Sequence, residues 1–200
     1  SDDCGNTSTA VQTLTVQDVT APVFTSVPAA ITVSCESIPA VGTPLATDDC
    51  AASVNITYDG VTRQDGLCPD SYTLTRKWAV SDACGNTATA TQIITVQDIT
   101  APGFSTIPAP ITVNCDAIPA VGTPTAIDNC DIAVTIQYNG QQRIDGNCPY
   151  NYSLQRTWIA TDNCGNTSMA TQLVTVQDVS TPVFTSVPVS ITVSCEAVPS

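Results

Sequence analysis

Ten cysteines are the most reactive side chains of this 200-residue chain. Three sit in near-identical turns, "DDCGNT", "DACGNT" and "DNCGNT", at Cys4, Cys84 and Cys164, each with an acid two positions before the sulfur and Gly-Asn after it. A nucleophilic cysteine needs a base or a cation beside it to lower its pKa. The chain has no histidine, and its basic residues, Arg63, Arg76, Lys77, Arg143 and Arg156, stand away from every "CGN" turn. Thiol catalysis and a Ser/His couple therefore lack their parts, and the sequence predicts no enzyme. Structural zinc wants close cysteine pairs or histidines, whereas successive cysteines in one period are 31, 15, 18 and 16 residues apart (35 − 4, 50 − 35, 68 − 50, 84 − 68). What remains is disulfide bonding for the sulfurs, and turn capping or hard-cation binding for the acids and amides.

The spacing also sets the organisation. Cys4, Cys84 and Cys164 are 80 residues apart (84 − 4 and 164 − 84), and the series Cys35/Cys115/Cys195, Cys50/Cys130 and Cys68/Cys148 keep the same step. A fixed period without insertions marks a tandem array. Two whole repeats are expected at 19–98 and 99–178, flanked by the C-terminal part of a preceding repeat at 1–18 and the N-terminal part of a following one at 179–200. Cys4 and Cys195 would then bond cysteines outside this range. A domain of this size buries only about 60% of the surface of its unfolded chain, so covalent staples matter. Cysteines in such a register point to an oxidising, extracellular setting.

Eighteen acidic residues against five basic ones leave a net charge of −13. Phosphate backbones and anionic membranes are repelled by such a surface, so nucleic acid and membrane insertion are excluded as partners of this stretch. Cations are its natural partners.

Threonine, valine and isoleucine alternate with polar residues between proline and glycine turns, which predicts an all-β chain. Strands are expected near 111–114, 123–127, 134–138, 152–161 and 169–177, a density that suits a sandwich. Tyr152, Leu154, Trp158 and Ala160, like Tyr72, Leu74, Trp78 and Val80, share one strand face. Trp78 and Trp158 are expected to anchor two cores, with a sugar-stacking ring as the alternative. Arg76 and Arg156 interrupt that face, and an ion pair or a stack on the tryptophan would accommodate them. "VQDVTAPVF", "VQDITAPGF" and "VQDVSTPVF" read as short, stiff linkers, because their prolines restrict the chain and cannot extend a strand ladder.

The "DxTAPxF" opening, the "ITVxC" strand, the "TDNC" loop, the "TWxATDxCGNT" strand and turn and the closing "TVQD" resemble hyalin-type immunoglobulin-like repeats. Repeats of that kind occur in very long bacterial surface proteins exported by the type IX route. The resemblance implies tandem immunoglobulin-like β-sandwich domains in an extracellular protein of adhesion, motility or fibre formation, with no catalytic residue.

Four cysteines per repeat allow three connectivities. If one long strand runs from Val134 into Arg143, Cys115 pairs with Cys148 and Cys130 with Cys164, and likewise Cys35 with Cys68 and Cys50 with Cys84. If "YDG" at 58–60 and "YNG" at 138–140 make hairpins, Cys148 joins Cys130 and Cys164 joins Cys115. Too few residues lie around 142–146 for another strand, which favours the first scheme. A Cys148–Cys164 bond would have to close ~33 Å of extended strand.

The acids suggest calcium, which takes six to eight hard oxygens. Asp128, Asn129, Asp162 and Asn163 flank cysteines in two turns expected at the pole where the chain enters the repeat, beside Asp98 of the linker. The equivalent set one period earlier is Asp18, Asp48, Asp49 and Asp82. The alternative is that these residues cap tight turns, with Gly85 and Gly165 at positive φ. Asn6, Asn55, Asn151 and Asn166 fit the glycosylation sequon, and Thr87, Thr89 and Thr91 form an outward row.

Two functions follow. One is a structural array forming a rigid filament, fibre or stalk, whose partners are neighbouring repeats or identical chains. The other is a calcium-dependent adhesin module for surface glycans or another surface, with Tyr150 and Tyr152 in the segment where the repeats diverge.

Overall fold

The computed structural model describes residues 1–194, so Cys195 lies outside the described residues. The described chain is all-β. Six strands, β1 (Val23–Ser26), β2 (Ile31–Val33), β3 (Leu45–Thr47), β4 (Asn55–Asp65), β5 (Tyr72–Ser81) and β6 (Thr87–Val96), recur as β7 (Gly103–Thr106), β8 (Ile111–Asn114), β9 (Thr125–Ile127), β10 (Thr135–Cys148), β11 (Asn151–Thr161) and β12 (Thr167–Gln177). Each set forms a pair of strands, β1–β3 or β7–β9, and a four-stranded sheet, β2–β6–β5–β4 or β10–β11–β12–β8. This is the immunoglobulin-like sandwich expected from the sequence. β4, β5 and β6 run antiparallel, while β2 joins β6 in parallel with Ile31 opposite Ile94 and Val33 opposite Val96. β8 joins β12 in the same way, Ile111 opposite Val174.

Strand alternation sends Trp78, Val80, Ile94 and Val96 inward in the first sheet, and Leu154, Trp158, Ala160, Val174 and Val176 in the second. Both tryptophans are only 2% exposed, which rules out the sugar-stacking alternative and leaves them as core anchors. Tyr58 and Tyr138 tilt against them at ring-centroid distances of 5.7 and 5.8 Å.

Three expectations are corrected. The "YDG" and "YNG" glycines lie within long strands rather than in hairpins: Gly60 and Gly140 take φ of 105° and 94°, and the β4–β5 register shifts in a bulge between Tyr58 and Gly60. Each long strand therefore continues past its glycine, as the first pairing scheme supposed for the stretch from Val134 into Arg143, and the strand drawn at 134–138 extends over Thr135–Cys148. β7 ("GFST") was not anticipated.

The third correction concerns the buried arginines, which neither pair with an acid nor stack on a tryptophan. Arg76 donates to the carbonyls of Ala40 and Pro39 at 2.9 and 2.6 Å, and Arg156 to those of Ala120 and Pro119 at 3.1 and 2.7 Å. Gln92 and Gln172 accept from these guanidiniums, and their own amides donate to the carbonyls of Ala29 and Ala109. The planar fork thus pins a proline-rich loop onto the sheet, a task that suits arginine's fixed donor geometry. The stacking arginines are Arg63 and Arg143, which lie 3.6 Å above the rings of Tyr72 and Tyr152.

Residues 1–22 and 178–194 contain no strand, although "TLTVQD" at 13–18 repeats sequence that is strand in β6 and β12. Val11, Leu14 and Val16 are correspondingly exposed. A strand needs a ladder partner, and these segments have none among the described residues.

The chain divides into two compact units. One comprises residues 1–105 with 126–136 and 160–168, and the other comprises 106–125, 137–159 and the residues from 169 onward. The loops carrying Cys130 and Cys164 therefore belong to the first unit.

Candidate functional site

The "DxCGN" turn is a local construction. Asp162 accepts from the Asn166 N–H and side-chain amide, both at 2.8 Å, and from the Cys164 N–H at 2.9 Å, while Gly165 takes φ of 87°. Asn166 Nδ2 also reaches the carbonyl of Asp98 at 3.2 Å, tying the turn to the linker. Asp82, Asn86 and the carbonyl of Asp18 repeat this arrangement. Burial pushes the Asp82 carboxyl up, but the Asn86, Cys84 and Gly85 donors outweigh it and leave the group below its usual value. An asparagine whose amide holds two partners is poorly placed to carry a glycan, which bears on the sequon at Asn166.

The "DNC" turn works differently. Asp128 Oδ1 accepts from the N–H groups of Cys130 and Asp131 at 2.8 and 3.0 Å, whereas its Oδ2 is buried and has no partner. Asp98 Oδ1 accepts from the Thr100 N–H at 3.1 Å, and its Oδ2 is likewise buried and unpartnered. The two carboxylates and the Cys130 sulfur offer atoms within 4.8 Å of one another. One period earlier, Asp18, Asp48 and Asp82 form a related group in which Asp82 stands in place of a cysteine, with Asp48 Oδ2 again buried and unpartnered.

Asp98 and Asp128 thus lie together, and so do Asp18, Asp48 and Asp82. Asp49, Asn129 and Asn163 stay outside both groups. Asp162 acts on Asp98 through its charge without joining the Asp98, Asp128 and Cys130 group, although its turn bonds match those of Asp82, which does join the earlier one. Asp131 was missed by sequence reasoning because its counterpart one period earlier is Ala51. It is 5% exposed and fixes the loop by accepting from the N–H groups of Ala133 and Asn163.

Buried carboxylate oxygens without partners are costly, and a cation or a shared proton would relieve them. The donor set fits a hard divalent ion, with carbonyls and water to complete it; the sulfur is no thiolate, because Cys130 is oxidised. Burial pushes the Asp98 carboxyl above its usual value of 3.8 against the opposing Thr100 N–H, and Asp128, Asp162 and Asp70 push it the same way. Its ionisation therefore opposes folding. Without cation, this penalty is absent below pH 3.8, grows as pH rises, and is complete above the raised value. Calcium should flatten this rise. Unfolding temperatures at stepped pH, with calcium and with a chelator, check it; identical slopes would count against an ion.

Two disulfides lie beside this group. Cys35 and Cys68 follow β2 and β4, which end at one pole, since Val33 and Tyr72 both lie opposite Val96 and Asp65 lies opposite Tyr72. Cys35 bonds Cys130 and Cys68 bonds Cys164, with Cα–Cα distances of 5.9 and 5.0 Å. This corrects the pairings drawn within one period, Cys35–Cys68 and Cys130–Cys164 with their counterparts Cys50–Cys84 and Cys115–Cys148, as well as Cys130–Cys148 and Cys115–Cys164. The shared pole of Cys35 and Cys68 was read correctly, but loops 126–136 and 160–168 of the next period are built into the same unit and bring their own cysteines to it. Cys4, Cys50, Cys84, Cys115 and Cys148 are unbonded.

No family model and no curated protein matches the chain. Among solved structures it is similar to Drosophila N-cadherin EC1-4 (12% identity, TM-score 0.36, 80% of this chain and 50% of that one) and to mouse clustered PcdhgC3 EC1-3 (17%, 0.32, 79% and 68%). It is also similar to Protocadherin Gamma B2 extracellular cadherin domains 3-6 (13%, 0.37, 79% and 51%). The chain spans about half the length of the first and third of these. The fold assignment stands on the strands and their pairing described above.

Proposed function

We propose that the chain is part of an extracellular structural array, a rigid filament, fibre or stalk at a bacterial cell surface, in which each immunoglobulin-like repeat is covalently fastened to the next. The observation that carries this reading is the pair of disulfides joining cysteines of consecutive periods. The partners of the array are neighbouring repeats or identical chains, and the hyalin-type resemblance supports the bacterial, type IX-exported setting. No catalytic role is proposed.

A second reading, a calcium-dependent adhesin, is favoured by the unpartnered oxygens of Asp98 and Asp128. In this reading calcium fills the group they form and the one at Asp18, Asp48 and Asp82, and the exposed Tyr150 contributes to a surface for glycans.

Electron microscopy of the native material, with and without chelator, tests both. Unbranched fibres with an axial repeat of ~35–45 Å, about one domain of strand rise plus loops, are expected; separate flexible strings would overturn the filament. Titration calorimetry should detect calcium binding that D98N and D128N each weaken at least tenfold, and heat unchanged by either substitution would remove the ion.

A further inference from the structure

Two amides face two carboxylates beside the disulfides. Asn129 Nδ2 donates to Glu36 Oε2 at 3.3 Å, and Asn163 Nδ2 to Asp70 Oδ2 at 2.7 Å. Each of the four residues adjoins or nearly adjoins a bonded cysteine: Glu36 follows Cys35, Asn129 precedes Cys130, Asn163 precedes Cys164, and Asp70 lies two residues after Cys68. One period before the amides stand Asp49 and Ala83, and one period after the carboxylates stand Asp116 and Tyr150. These four flank Cys50, Cys84, Cys115 and Cys148, all of which are unbonded. The period is thus kept at the cysteines and at Asp18/Asp98, Asp48/Asp128 and Asp82/Asp162, and a carboxylate is kept at Glu36/Asp116, yet the chemistry changes at Asp49/Asn129, Asp70/Tyr150 and Ala83/Asn163.

We propose that positions 36, 70, 129 and 163 form a pairing code, and that the surface carrying Cys50 and Cys84 docks a different repeat of this kind. That partner presents two cysteines equivalent to Cys35 and Cys68, and an uncharged hydrogen-bond donor or a cation opposite Asp49. A second copy of this chain is a poor fit, because its Asp116 would meet Asp49 where the observed junction pairs an acid with an amide. Like charges brought together select against the wrong partner. The inference takes from the array reading only the source of the docking repeat; the code itself rests on the contacts.

Oxidation of the whole 200-residue chain in a glutathione redox buffer tests it. Each bond formed takes two electrons and two protons from two cysteine thiols and reduces one glutathione disulfide to two thiols. Peptide mapping should find Cys35–Cys130 and Cys68–Cys164 within one chain, with intermolecular Cys50–Cys115 and Cys84–Cys148 bonds scarce. D116N should raise the Cys50–Cys115 yield about two- to fivefold at low salt, the range measured for exposed charge contacts, with the gain fading near ~1 M salt. Intermolecular ladders formed as readily by the unaltered chain would overturn the code. Within the chain, N129D should lower the exchange equilibrium constant of Cys35–Cys130 by a similar factor, and adding E36Q should restore it. If N129D matches the unaltered chain, the code falls whatever the ladders show. Absence of fibres in the microscope would remove the array without touching these equilibria.

Discussion

Replacing Cys130 and Cys164 by serine is expected to lower the stability of the first unit more than any other pair of surface changes. The bridges close sequence separations of 95 and 96 residues. In the chain-entropy picture each such closure is worth roughly 3–5 kcal/mol, mostly by restricting the unfolded chain. C130S alone should cost about that amount. The double variant should cost less than twice as much, because the first bridge already shortens the path that the second one closes. Denaturant unfolding of the two single variants and the double, each against the oxidised parent, gives the numbers. Midpoints that barely move would mean that the loops around 130 and 164 are held by their hydrogen bonds and the acidic group alone. The core strands should survive in every variant, since none of β2, β5 and β6 depends on a bridge for its ladder.

Arg156→Met is expected to cost about 3 kcal/mol, comparable to one bridge, although methionine is apolar and Arg156 is only 3% exposed. Burial alone would predict a gain. The loss arises because the carbonyls of Pro119 and Ala120 are left without the guanidinium donors that satisfy them, and Gln172 keeps only its bond to the Ala109 carbonyl. Arg156→Lys should recover part of the loss, since an ammonium can reach one carbonyl but cannot span two with a planar fork. Hydrogen exchange should show faster opening of the amides at 115–124 in both variants. An unchanged midpoint for the methionine variant would show that water can replace the guanidinium there.

The fold was legible because it depends on local pattern. β8 occupies the four residues that the sequence suggested, and the alternating face that carries Trp158 is the buried face. The arginine role was hidden for a physical reason: its acceptors are backbone carbonyls 36 and 37 residues away, and every residue type carries one. The acidic group was legible in part. Asp98 and Asp128 belong to loops that any sandwich of this order gathers at one end, but whether a carboxylate oxygen is spent on a turn or left over depends on hydrogen-bond geometry that spacing does not encode. The disulfides were misread because a strict period makes Cys50 and Cys130 indistinguishable in sequence, so nothing says whether Cys35 takes its partner from its own repeat or from the next. Asp70 and Asp131 depart from the period, opposite Tyr150 and Ala51, and those departures were the available signal.

The order of the bonded cysteines, 35, 68, 130 and 164, makes the two bridges interlock: the second opens before the first has closed. A peptidase that cuts once anywhere from residue 36 to residue 163 therefore releases nothing, because at least one bridge still spans the cut. Between residues 69 and 129 both do. If the same interlocking recurs along an array, a single cleavage leaves it in one piece, and the two sides of the cut separate only when the bridges spanning it are also reduced.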